Sequence, residues 1–110
     1  MNKSATLENK SIRQPHFMRL NLMNRELTRM LARLHSYQCE PCTSEMYDKF
    51  LRLNHDGHSL QDTIEKISKV LDSTTKFPKA ILDEIDAVMQ RYHGYQKSLT
   101  SYLSEAIIHH

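Results

Sequence analysis

Residues 78–106, PKAILDEIDAVMQRYHGYQKSLTSYLSEA, decide the architecture of this chain. Their apolar positions, Pro78, Ile81, Ile85, Val88, Tyr92, Tyr95, Leu99, Tyr102 and Ala106, succeed one another at steps of three and four residues. Such spacing keeps one narrow stripe of a long helix turned toward other helices. Pro78 suits the first helical position, where its missing N–H costs nothing, and Asp83, Glu84 and Asp86 complement the positive end of the helix dipole. Gly94 costs about 1 kcal/mol relative to Ala in mid-helix. The stripe keeps its phase across it, so one long helix is expected.

The same rhythm appears upstream. Leu20, Met23, Leu27, Met30, Leu34 and Tyr37 predict a first helix over roughly residues 17–38. Pro41 stops it, and Thr43 or Ser44 followed by Glu45 caps a short second helix carrying Met46, Phe50, Leu51 and Leu53. HDGH, residues 55–58, reads as its end because of Gly57. Ser59 and Asp62 then start a third helix with Leu60, Ile64, Ile67 and Leu71 as its stripe. Residues 1–15 are polar and aperiodic, and are read as a flexible N-terminal arm ahead of a single helical domain over 16–110. With only two Gly, three Pro and no Trp in 110 residues, a sheet with its many turns is disfavoured. The expected fold is all-α, an antiparallel helical bundle of about four helices with a long C-terminal helix.

Helix lengths carry an expectation about assembly. The fourth helix would be roughly 45 Å long, against roughly 33, 16 and 20 Å for the other three. Its end would then outrun its companions, leaving Tyr95, Leu99, Tyr102, Leu103, Ile107 and Ile108 as a partner-binding site and favouring a homodimer.

Charge is uneven along the chain although the net value is only +2. Lys3, Lys10, Arg13, Arg19, Arg25, Arg29 and Arg33 face only Glu8 and Glu26 within the first 34 residues, whereas residues 40–90 are acidic on balance. The two regions can neutralise each other inside one bundle. Alternatively Arg19, Arg25, Arg29 and Arg33 form an anion or nucleic-acid site, since phosphate binding needs clustered positive charge. Residues 51–67, LRLNHDGHSLQDTIEKI, resemble part of MerR-type regulators in their helix, glycine turn and Ser-Leu helix start. The alternative reading is a DNA-binding transcriptional regulator that uses the basic first helix with Lys3, Lys10 and Arg13 of the arm.

Cys39, Cys42, His55 and His58 are the ligand types that a tetrahedral structural zinc prefers, making a small zinc-binding module a further alternative. Against it, a helix between the two pairs would hold them about 16 Å apart. No other cofactor is expected. The chain has no Gly-rich phosphate loop, GxSxG or HExxH motif, so no enzymatic activity is expected. It has no apolar stretch of membrane-spanning length and no secretory signal at its N-terminus, and CEPC suits a reducing compartment, so a cytoplasmic location is expected. The functional expectation is a small helical interaction protein, an adaptor, chaperone or anti-factor, that binds and regulates a protein partner.

Overall fold

The computed structural model describes the backbone of residues 2–37, 43–73 and 79–108, and the side chains of residues 14–37, 43–73 and 79–106. The described residues form three helices, α1 (Asn2–Ser36), α2 (Ser44–Ser73) and α3 (Lys79–Ile108), in a rod of 65 × 18 × 17 Å. The fold is all-helical as expected, with three helices in place of the expected four.

The difference lies at Gly57. The expected second and third helices are one, because α2 runs unbroken through HDGH for 30 residues. Gly57 is buried there, and a Cβ on it would lie 2.7 Å from Leu31 Cδ2 and 2.7 Å from the Tyr95 hydroxyl oxygen. Glycine therefore admits α1 and α3 close to the axis of α2, and the packing it allows offsets its poor helix propensity. Without a turn at Gly57, the turn-based resemblance to MerR-type regulators falls away. Ser59, expected to start a helix, sits within one and accepts a hydrogen bond at its carbonyl from Thr63 Oγ1 at 3.0 Å.

The other boundaries follow local chemistry. Thr43 Oγ1 accepts from the Met46 backbone N–H at 3.2 Å, which makes Thr43 the N-cap of α2. α1 begins at Asn2, well before the expected start at residue 17, and continues through Pro15. Pro15 is exposed, and its ring removes one N–H from the hydrogen-bond ladder of the helix. Pro78, expected to open the last helix, lies outside the described residues.

The core is the set of heptad positions. Leu20, Leu27, Leu34, Leu60, Ile64, Leu71, Ile85 and Tyr102 are its most completely enclosed large side chains. Along α1 the stripe takes Leu31 in preference to Met30 and Tyr37; Leu31 is buried, Met30 packs half-buried against the core, and Tyr37 is exposed. Leu51 on α2 also faces outward. No described polar or charged residue is buried, so apolar burial dominates the cohesion of the bundle.

Polar pairs at the edges fix the relative heights of the helices. Gln61 Nε2 donates to Thr28 Oγ1 at 2.9 Å, and His35 Nε2 is hydrogen-bonded to Asn54 Oδ1 at 2.8 Å, so α1 and α2 are antiparallel. Lys49 Nζ donates to Glu105 Oε1 at 3.2 Å and Arg91 Nη1 to Thr63 Oγ1 at 3.4 Å, which sets α3 antiparallel to α2.

Candidate functional site

The end of α3 is enclosed. Tyr95, Leu99, Tyr102 and Leu103 are 6%, 4%, 1% and 6% exposed, all within one copy of the chain. The supposed mismatch in length does not exist, because α2 and α3 are 30 residues each. The inference from that mismatch to a docking site and a homodimer at this end therefore loses its ground. The side chains of Ile107 and Ile108 lie outside the described residues.

Tyr95 is a packing residue. Its hydroxyl donates to the Leu53 carbonyl at 3.0 Å, and burial, helped by the charge of Asp56, pushes its pKa up to about 12. Tyr92 is raised as well, by burial first and Glu26 second. Tyr102 packs against Phe50 with ring centroids 6.4 Å apart, and the Phe50 and His35 rings stand nearly perpendicular with centroids 5.4 Å apart.

Exposed apolar area lies elsewhere. Among the described residues, the large apolar side chains left open are Met18, Leu22 and Tyr37 on α1 or its final turn, and Tyr47, Leu51 and Val70 on α2. None is on α3. The sequence reading missed Met18 and Leu22. Their signal was present: both lie off the α1 stripe, at the same four-residue spacing that separates Arg25, Arg29 and Arg33.

Pro15, Met18, Leu22, Arg25 and Arg29 succeed one another at three- and four-residue steps and are exposed, so α1 turns one stripe outward, apolar toward its start and cationic toward its end. Arg29 Nη1 pairs with Glu26 Oε1 at 3.2 Å on an open surface, a contact worth little. Among the described residues, neither Arg25 nor Arg33 has an acidic partner. Arg19 is drawn aside, with Nη1 3.7 Å from Met89 Sδ on α3.

The helix beside α1 has the opposite charge balance. α1 carries seven Lys and Arg against two Glu, whereas α2 carries six Asp and Glu against four Lys and Arg. Asp62 and Glu65 are exposed on α2, beside the Gln61 that bonds α1.

Cys39 and Cys42 lie outside the described residues. His55 and His58 are exposed, one turn apart on α2, with about 16 Å of helix between His55 and the first helical residue, Ser44. No group of three His, Cys, Asp or Glu among the described residues is arranged to hold a metal ion.

No family model, curated protein or solved structure matches the chain. Among the described residues, no helix is long and apolar enough to cross a membrane. A cleft of about 420 Å³ between α2 and α3 is lined by charges of both signs, Lys49, Arg52, Lys97, Asp56 and Glu105, with Lys49 and Glu105 already paired.

Proposed function

We propose that this chain is a non-enzymatic helical interaction protein, an adaptor, chaperone or anti-factor that regulates a protein partner. The supporting observation is that the open large apolar side chains belong to α1, its final turn and α2, with α3 bearing none among the described residues. Met and Arg are enriched where proteins dock, and Met18, Leu22, Arg25 and Arg29 combine both on one stripe. In this reading the docking surface lies on α1 and α2, and the enclosed end of α3 serves as core. Paired thiols in CEPC suit a cytoplasmic setting.

A DNA-binding regulator is the second reading, favoured by exposed Arg25, Arg29 and Arg33 at four-residue spacing. Met18 and Leu22 count against it, because two apolar side chains at the head of the same stripe add nothing to phosphate contacts.

One comparison separates them. Affinity purification of the wild type and of the Met18→Glu, Leu22→Glu double variant, with mass spectrometry, is expected to show one stoichiometric protein that the variant loses. Equal retention of both on duplex DNA, falling steeply with salt, would replace this reading with the nucleic-acid one.

A further inference from the structure

We infer that the α1–α2 side binds a second copy of this chain, about a two-fold axis parallel to the bundle, with Arg25 and Arg29 of each copy against Asp62 and Glu65 of the other. The inference rests on the reading of that side as a docking surface and names its occupant.

Charge selects the geometry. A two-fold axis perpendicular to the helices would lay α1 on α1, opposing two helices that each carry seven basic residues and two acidic ones. An axis parallel to the helices exchanges left and right, laying basic α1 of each copy on acidic α2 of the other. The contact is then self-complementary and closes as a dimer.

Register follows from hydrogen bonds within one copy. Thr28 is level with Gln61 and His35 with Asn54, and the residue numbers in both pairs total 89. A two-fold axis along the bundle preserves height, so residue n of α1 meets the level of residue 89 − n of the other copy's α2. Arg25 reaches level 64 and Arg29 level 60. Asp62 and Glu65 stand within two residues of these levels, about 3 Å of axial rise, well inside the reach of an arginine.

Arg25 and Glu65 flank the α1–α2 seam, and Arg29 and Asp62 are turned about 100° farther from it, toward solvent. Glu65 is one turn beyond Gln61, Leu51 one turn before Asn54, and Arg25 one turn before Thr28, so each flanks a residue that bonds across the α1–α2 seam. Arg25, which has no acidic partner among the described residues of its own copy, gains one.

Multi-angle light scattering on the purified chain at tens of micromolar tests the dimer, with circular dichroism confirming helicity. The wild type is expected at twice the 13.0 kDa monomer mass. Arg25→Glu with Arg29→Glu, and separately Asp62→Arg with Glu65→Arg, are expected to keep their helicity and weaken association by about 100-fold or more, as opposed like charges do. An equimolar mixture of the two variants is expected to regain the dimer, since each then presents the charge the other lacks. A monomeric wild type, or a dimer indifferent to both reversals, overturns the proposal. If such a monomer still captures a different protein through Met18 and Leu22, the interaction reading stands while the self-association fails.

Discussion

The Tyr95 hydroxyl occupies space that a side chain at residue 57 would need: a Cβ on Gly57 would lie 2.7 Å from it. The same hydroxyl donates to the Leu53 carbonyl at 3.0 Å, one turn before Gly57 on α2. Glycine, tyrosine and carbonyl form a joint at which α3 approaches α2 more closely than a side chain there would allow. Leu31 of α1 closes on the same point from the other side.

Gly57→Ala is therefore expected to destabilise the fold even though alanine is the better helix former. The propensity gain is about 1 kcal/mol, while forcing an extra methyl against buried Leu31 and Tyr95 costs roughly 1–3 kcal/mol and displaces the Leu53 bond. Urea unfolding followed by circular dichroism should show a lower midpoint. A higher one would mean that both side chains move aside freely.

Gly94→Ala should do the opposite. A Cβ there meets nothing within 4 Å, so only the propensity term remains, up to about 1 kcal/mol of added stability. Thermal unfolding of this variant beside Gly57→Ala gives opposite shifts from one chemical change, and shifts of the same sign would contradict the packing described for α2.

Alkaline pH should weaken the fold through Tyr95. Its pKa stands at about 12 in the folded chain against 10.0 ordinarily, so the folded state favours the neutral hydroxyl. That contribution is complete below pH 10 and is lost as pH rises from about 10 to about 12. Tyr92, also raised, acts in the same direction. Tyr95→Phe is expected to cost about 1 kcal/mol at neutral pH and to flatten the fall above pH 10. Equal slopes for variant and wild type in urea titrations between pH 8 and 11.5 would exclude Tyr95 as a source.

Leu99→Asp is expected to unfold the chain. Leu99 is 4% exposed, and a carboxylate there would be buried unpaired, at a cost of several kcal/mol. Met18→Asp, at a position 63% exposed, should change stability by no more than about 0.5 kcal/mol. Far-ultraviolet circular dichroism at 25 °C distinguishes them, and a fully helical Leu99→Asp would show that the end of α3 is less enclosed than described.

Much of the fold is legible in residue order. Every expected stripe position from Ile81 to Ala106 is buried, as are Leu60, Ile64, Ile67 and Leu71. Thr43 acts as the expected cap through its own hydroxyl. These features depend on neighbours within one or two turns. The candidate surface was less legible, because Met18 and Leu51 are ordinary apolar letters until the inner faces of α1 and α2 are known.

The sequence by itself determined an all-helical chain and which residues line its interior, because a helix repeats every 3.6 residues and apolar spacing records that period directly. Only the tertiary structure decided that α2 continues through Gly57, that α3 is matched in length and enclosed, and that exposed apolar area falls on α1 and α2. The contacts responsible, Leu31 and Tyr95 against Gly57, join residues 26 and 38 positions apart in the chain. No local preference at Gly57 contains them, and the packing they provide outweighs the propensity that would have broken the helix.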